Sequence, residues 1–147
     1  MIAYLDTSAL VPLVVAEPTS PRCRRVWDEA EAVLSVELAY VETAAALARA
    51  RRMGRLTTDQ HREALRRWDD LWDQVVALPV DPRLVRTAAG LAAVHGLRGY
   101  DAVHCAAAAQ HADSGVVATA GDRDLLGAWR ASGLAVVDTS DGSAPTS

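Results

Sequence analysis

Four acidic residues lie beside or within apolar segments, where a carboxylate is more typical of a functional site than of a solvent-exposed surface. Asp6 ends a short apolar run at the N-terminus, and Asp122 follows the apolar run at 116–119. Asp101 comes directly after the turn at 97–100, and Glu42 interrupts an alanine-rich stretch that otherwise has the composition of a buried helix. Because an unpartnered carboxylate is expensive to bury, these positions predict a binding function.

The chemistry that such a set favours is divalent-metal binding. Carboxylates brought together repel one another unless a cation or a proton compensates, and all 15 Lys or Arg positions of this chain are arginine. Carboxylate oxygens and water suit Mg²⁺ or Mn²⁺ rather than zinc. Such a site activates water and stabilises charge on a phosphoryl group. Whether one ion or two would bind is left open by the sequence.

Each acidic residue also has a purely structural interpretation. Asp6, Asp101 and Asp122 could each cap the helix that follows it, since Asp is a favoured N-cap residue. Glu42 could lie on the solvent-facing side of its helix. The residues alone leave these alternatives open.

Short apolar runs alternate with helical patterns along the chain, which predicts an α/β fold. We expect a short parallel sheet of about five strands flanked by helices on both faces. The strands are predicted at 2–5, 32–35, 75–80, 115–119 and 134–137. The helices are predicted at 9–16, 21–30, 36–53, 58–73, 82–95, 100–111 and 122–132. Ligands of such folds bind at the carboxyl ends of the strands, where Asp6 and Asp122 are expected.

The composition excludes several classes of protein. The absence of lysine excludes P-loop NTPases, kinases and Schiff-base enzymes. The net charge of −4 argues against a general polyanion binder but allows a local arginine-rich surface. No apolar run approaches the roughly 18 residues of a membrane helix, and the N-terminus has no signal-peptide pattern, so we expect a cytoplasmic protein. One domain is predicted at 1–138, followed by a flexible tail at 139–147.

Histidine and cysteine offer no recognisable catalytic or zinc pattern. Cys105 and His104 are adjacent on a predicted helix and would point about 100° apart, which disfavours a catalytic dyad. His104 and His111 lack further ligands at zinc spacing. We therefore interpret Cys105 as a buried structural residue and His104 as a surface or core residue.

Four segments resemble, in order, the motifs of PIN-domain ribonucleases, specifically the VapC-type toxins of type II toxin–antitoxin systems. They are YLDTSALV at 4–11, LAYVE at 38–42, LRGYDAVH at 97–104 and VVATAGDRDL at 116–125. Together they extend over almost the whole chain, from about residue 2 to residue 137. The resemblance implies a PIN-like fold.

The resemblance also implies a function, that of a toxin acting as a Mg²⁺- or Mn²⁺-dependent endoribonuclease. A metal-activated water would attack a phosphodiester of RNA, often tRNA or rRNA. The implied partners are a VapB-type antitoxin, the RNA substrate and a second copy of the chain in a homodimer. The implied catalytic and metal-binding residues are Asp6, Glu42, Asp101 and Asp122. The implied substrate-binding or positioning residues are Arg98, Thr7, Ser8 and Thr119.

The fourth motif departs from the family pattern. Relatives commonly have Thr-x-Asp, whereas one more residue separates Thr119 from Asp122 here. We expect Asp122 to fill the fourth acidic position, with Asp124 as the alternative. This irregularity keeps a second function open, that of a non-catalytic PIN-like module that binds RNA or protein.

Overall fold

A five-stranded parallel sheet forms the centre of the protein. A computed structural model describes residues 1–140 of the 147-residue chain. Within this range the strands are β1 (Ile2–Leu5), β2 (Ala32–Val36), β3 (Val75–Leu78), β4 (Val117–Ala120) and β5 (Ala135–Asp138). They pair in parallel in the order β3-β2-β1-β4-β5. The predicted α/β fold with a sheet of about five parallel strands is confirmed.

Helices cover both faces of this sheet. They are α1 (Thr7–Leu10), α2 (Ser20–Glu29), α3 (Leu38–Arg52), α4 (Thr58–Trp72), α5 (Pro82–His95), α6 (Gly99–Ala109) and α7 (Arg123–Ala131). One apolar core contains Tyr4 and Leu34 from the sheet and Trp129 from α7. The other contains Leu5 from the sheet and Trp68 from α4. Among the described residues, no helix is long and apolar enough to cross a membrane.

The strand order places a crevice beside β1. From β1 the chain proceeds to β2 and β3 on one side and later returns to β4 and β5 on the other. Such a reversal opens a binding crevice at the carboxyl ends of the central strands. Here β1 and β4 are neighbours, and the Asp6 amide donates a hydrogen bond to the Thr119 carbonyl at 3.1 Å. The residues that follow these strands therefore face one crevice.

The first helix is shorter than predicted. Its α-helical part ends at Leu10, and a 3₁₀ turn continues from Val11 to Leu13. Pro12 has no N–H to donate to the carbonyl four residues earlier, so the α-helix cannot continue through it. The prediction of a helix at 9–16 was wrong in its length for this reason.

The expected tail at 139–147 lies outside the described residues except for its first two positions. Thr139 is 3% exposed, and its amide donates to the Ala120 carbonyl at 3.0 Å. Ser140 is exposed at the end of the described range.

A capping box stands at the start of α4 and gives a stability prediction. Thr57 Oγ1 accepts from the Gln60 amide at 3.1 Å, and Gln60 Oε1 accepts from the Thr57 amide at 2.8 Å. We expect Thr57→Ala to lower the free energy of unfolding by about 1 kcal/mol, a fall in Tm of about 2–4 °C for a chain of this size. Thr58→Ala is the matched control and should stay within about 0.5 kcal/mol of the wild type. Equal Tm values for both variants would contradict the prediction.

Candidate active site

A cavity of about 380 Å³ gathers the four carboxylates that the sequence singled out. Asp6 follows β1, Glu42 lies in α3, Asp101 lies in the first turn of α6, and Asp122 stands directly before α7. These residues are separated by up to 116 positions in the sequence, so only the sheet topology brings them together. A fifth acidic residue, Glu17, also lines the cavity.

Asp6 is the most deeply buried of these carboxylates. Its residue is 4% exposed, and Oδ1 accepts hydrogen bonds from Ser8 Oγ at 2.6 Å and from the Ala9 amide at 3.2 Å. Burial raises the pKa of Asp6 to about 6, and the nearby Asp122 adds to this, while His104 and the Ser8 hydrogen bond act in the opposite direction. The ionised form is therefore costly in the absence of a cation.

Glu42 points into the cavity rather than into solvent. Its side chain is 20% exposed. Oε1 accepts from Thr7 Oγ1 at 3.1 Å and lies 2.8 Å from His104 Nε2. These contacts exclude the interpretation of Glu42 as a solvated helix residue and attach α3 to the end of β1.

Asp101 and Arg98 form an ion pair at the rim of the cavity. Arg98 Nε lies 3.5 Å from Asp101 Oδ2, and the two side chains are 86% and 21% exposed. Burial raises the pKa of Asp101 and Asp122 raises it further, while Arg98 lowers it. Asp101 does not cap α6, because the N-cap position is Arg98 and has no side-chain cap.

Asp122 has a structural contact and also faces the cavity. Its Oδ1 accepts from the Leu125 amide at 2.9 Å and so caps α7. The same residue lines the cavity, whereas Asp124 is exposed and lies outside the lining. Capping and a place in the carboxylate cluster are thus compatible at this position.

The additional residue of the fourth motif is accommodated by Gly121. Its amide donates to Ser8 Oγ at 2.8 Å, and Ser8 in turn donates to Asp6. A Cβ atom at position 121 would lie 3.0 Å from Thr139 Oγ1, so this close approach favours glycine. Ser8 therefore connects the loop before α7 to the carboxylate that ends β1.

Thr119 is one of the eight predicted site residues, but it does not line the cavity. It is fully buried in β4, and its hydroxyl has no hydrogen-bond partner among the described residues. Because β4 is an inner strand covered on both faces, the side chain does not reach the cavity lining. Thr7 and Ser8 do line it, while Arg98 lies beside Asp101 in the neighbouring groove.

His104 and Glu17 are cavity residues that sequence reasoning missed. His104 is 2% exposed, lines the cavity and contacts Glu42 through Nε2 and the Tyr4 hydroxyl through Nδ1 at 2.7 Å. A signal was available, since His104 stands three residues after Asp101 and such positions share a helix face. Glu17 had no such signal, because it enters from a loop and is held 3.6 Å from Arg55 by the tertiary fold.

The donor set fits a hard divalent cation. Carboxylate oxygens predominate in the cavity, which is the chemistry that Mg²⁺ and Mn²⁺ prefer. Burial above all, together with Asp122, raises the pKa of Asp6 and of Asp101, so a bound cation would favour their ionised forms. Within residues 1–140, no three acidic, histidine or cysteine side chains already stand close enough to share one ion, so binding would require some of the carboxylates to move towards the others.

A larger apolar groove adjoins the cavity. It has a volume of about 870 Å³ and shares Glu42 and Asp101 with the cavity. Its other lining residues are mainly apolar side chains of α5 and of the start of α6, together with Leu38, Val80 and Arg98. Val85 and Tyr100 in this lining are 49% and 65% exposed. An extended ligand could therefore contact the groove and the carboxylates at once.

Comparison with known proteins identifies related sequences and folds. The PIN domain profile matches residues 3–127. A protein named Ribonuclease VapC45 from Mycobacterium tuberculosis is 38% identical over 135 residues, which is 92% of this chain and 94% of the relative.

Two solved structures share the fold. A VapC20 toxin of Mycobacterium tuberculosis, described as cleaving the sarcin–ricin loop, has a TM-score of 0.66 and 21% identity, with 86% of this chain and 94% of that chain covered. A toxin–antitoxin complex from Klebsiella pneumoniae contains a chain with a TM-score of 0.65 and 14% identity, with 93% and 97% covered.

Proposed function

Because the chain belongs to the PIN-domain family, among the VapC ribonucleases, we propose that it hydrolyses RNA as a Mg²⁺- or Mn²⁺-dependent endoribonuclease and is the toxin of a type II toxin–antitoxin system. The observation that carries the proposal is the convergence of Asp6, Glu42, Asp101 and Asp122 on one cavity. The proposed place of action is the cytoplasm, with tRNA or rRNA as the substrate.

The proposed catalytic role of the four carboxylates is to hold the divalent ion. Asp6 and Asp101 are the foremost ligands, because burial and acidic neighbours disfavour their ionised forms and a cation would relieve that cost. Glu42 and Asp122 complete the set from α3 and from the loop before α7. When bound, the ion supplies an activated water and stabilises negative charge on the phosphoryl group.

The remaining proposed site residues orient these carboxylates or the RNA. Ser8 donates to Asp6 and Thr7 donates to Glu42, so each hydroxyl fixes one carboxylate. Arg98 is 86% exposed at the rim, and its guanidinium can bind phosphate through two parallel hydrogen bonds. Its exposed pair with Asp101 is worth little, so an RNA phosphate can replace that contact.

The proposed partners are a VapB-type antitoxin and a second copy of this chain. Support for an antitoxin comes from the fold shared with the Klebsiella pneumoniae toxin–antitoxin complex. A basic side chain is the natural complement to a cavity lined by acidic residues. The adjoining groove would accept apolar residues of the antitoxin segment that carries this basic side chain.

RNA cleavage in the presence and absence of divalent ions tests the proposed function. We expect Mn²⁺ or Mg²⁺ to give discrete products with 5′-phosphate ends and EDTA to abolish them. End-labelled structured RNA resolved on denaturing gels provides the measurement. RNA binding without any ion-dependent product would contradict the proposal and favour the non-catalytic module.

Thermal unfolding with Mn²⁺ tests the ion site without any choice of RNA. A ligand at 100 times its Kd stabilises the folded state by about 2.7 kcal/mol, so we expect the Tm of the wild type to rise by several degrees. Asp101→Asn should fold but respond much less. Asp124→Asn is the matched control, since Asp124 lies outside the cavity, and it should respond like the wild type. Equal responses of the two variants would exclude the carboxylate cluster as the binding site.

A further inference from the structure

We propose that His104 is a positioning residue that, together with Tyr4, fixes Glu42 so that one of its two carboxylate oxygens is reserved for the divalent ion. The inference rests on the proposed role of Glu42 as an ion ligand. It is carried by a continuous chain of hydrogen bonds. Tyr4 Oη lies 2.7 Å from His104 Nδ1, and His104 Nε2 lies 2.8 Å from Glu42 Oε1.

The donor and the acceptor of each hydrogen bond in this chain follow from the groups that it joins. An ionised carboxylate can only accept hydrogen bonds, so His104 Nε2 must carry a proton and donate it to Glu42. In the neutral ring Nδ1 is then an acceptor, and the Tyr4 hydroxyl donates to it. A tyrosine hydroxyl keeps its proton at neutral pH, because its ordinary pKa is about 10. One tautomer of His104 satisfies every partner.

This chain of hydrogen bonds gives the two carboxylate oxygens of Glu42 different numbers of hydrogen-bond partners. Oε1 receives the contact from His104 Nε2 and a second hydrogen bond from Thr7 Oγ1 at 3.1 Å. Among the described residues, no hydrogen bond reaches Oε2. Holding Oε1 restricts rotation of the carboxylate and directs Oε2 to the ion. Hydrogen-bonded groups behind metal ligands have this orienting effect in general.

The same hydrogen-bonded chain joins the elements that present three of the carboxylates. Tyr4 stands two residues before Asp6, and His104 stands three residues after Asp101. Tyr4 is fully buried and His104 is 2% exposed. The Tyr4 ring packs edge-on against His104 and Trp129, with ring centroids 5.9 and 5.8 Å apart. This chain of hydrogen bonds therefore connects β1, α6 and α3. Asp6 directly follows β1, Asp101 lies in α6 and Glu42 lies in α3.

Mn²⁺ affinity of three variants tests the proposal without RNA. His104→Leu removes the donor to Glu42, and we expect Mn²⁺ affinity to fall by about 10–100-fold. His104→Gln keeps an N–H donor near the position of Nε2 and should recover affinity to within a few-fold of the wild type. Thr43→Val is the control for loss of a buried polar group. Thr43 is buried like His104, but it lies in α3 and outside the cavity. The Thr43→Val variant should bind Mn²⁺ like the wild type.

A purely structural role makes a different prediction. It would lower the Tm of His104→Leu and His104→Gln together while leaving the Mn²⁺ affinity of the folded fraction unchanged, and that result would overturn the proposal. If His104→Leu does not fold, Tyr4→Phe replaces it, because this change removes the donor to Nδ1 with little loss of volume. We expect Tyr4→Phe to weaken Mn²⁺ binding several-fold, and unchanged affinity would count against the proposal.

The tautomer of His104 supplies a readout that needs neither metal nor RNA. We expect the ¹⁵N chemical shifts of the metal-free wild type to show a proton on Nε2, the nitrogen that donates to Glu42. A neutral ring protonated only at Nδ1 would overturn the proposal. A wild type that neither binds Mn²⁺ nor cleaves RNA would refute the proposed function itself. Binding and cleavage by the wild type, with equal affinity in His104→Leu, would refute only the role of His104.

Discussion

Replacing Asp101 by asparagine should lower the rate of RNA cleavage by about 10³-fold or more while leaving the protein folded. The side chains are nearly isosteric, but the variant loses the negative charge that the proposed ion requires. A divalent ion contributes several kcal/mol to stabilisation of the transition-state charge, and each 1.36 kcal/mol corresponds to a tenfold change in rate. The fold should tolerate the change, because burial and Asp122 already disfavour the ionised form of Asp101.

Single-turnover cleavage of one structured RNA, measured with saturating Mn²⁺, provides the rate. Asp124→Asn is again the matched control, since it removes the same charge from an exposed position outside the cavity. It should stay within a few-fold of the wild type. If Asp124→Asn abolished cleavage and Asp101→Asn did not, the fourth motif would have been assigned to the wrong residue and Asp101 would not hold the ion.

Two of the four carboxylates could be singled out from the sequence because their positions obey a simple rule of parallel sheets. Asp6 and Asp122 follow inner strands, and residues that end such strands meet at one edge of the sheet. The prediction needed only the location of the apolar runs. The full strand order was not required, although the cluster does depend on β1 and β4 being neighbours.

The details that the sequence could not provide depend on contacts between distant residues. The placement of Asp122 rather than Asp124 on the cavity depends on the hydrogen bond from the Gly121 amide to Ser8, across 113 positions. Glu17 enters the cavity from a loop whose path is set by the short α1 and by Arg55. Neither contact leaves a periodic signal in the chain.

His104 shows a different limit of sequence reasoning. Neither its immediate neighbour, Cys105, nor the spacing of zinc ligands indicates a function for this residue. The informative comparison was with Asp101, one helical turn earlier on the same face. A buried histidine beside a functional carboxylate must satisfy two ring nitrogens, and here these bonds reach Tyr4 and Glu42. The helical spacing of three residues between Asp101 and His104 is therefore the signal in the sequence that indicates a role for His104.

The stability of the metal-free protein should fall as the pH rises from about 4 to about 6, and Asp6→Asn should make this fall smaller. Burial raises the pKa of Asp6 from 3.8 to about 6 in the folded state. The folded state therefore binds a proton that the unfolded state has already lost, and the resulting stabilisation disappears as Asp6 ionises. A shift of about 2 units corresponds to about 3 kcal/mol at 1.36 kcal/mol per unit.

Chemical denaturation in EDTA at several pH values, with the wild type and Asp6→Asn side by side, measures this difference. The amide oxygen of asparagine can still accept the hydrogen bonds that Ser8 and the Ala9 amide donate to Oδ1, so the variant should keep the start of α1 intact. We expect Asp6→Asn to be the more stable protein above pH 7, with the two curves converging towards pH 4. Parallel curves would show that Asp6 ionises as easily in the folded protein as in the unfolded chain.

Saturating Mn²⁺ should make the wild type more stable than Asp6→Asn in neutral solution, which reverses the order expected in EDTA. An ion that binds the ionised carboxylates stabilises the wild type by mass action and gives little to a variant without the charge at position 6. The site would then be unstable on its own and stabilised by the cation that its chemistry requires, which is the expected trade-off for a functional cluster of buried charges. Stabilisation of Asp6→Asn by Mn²⁺ to the same extent as the wild type would place the ion elsewhere.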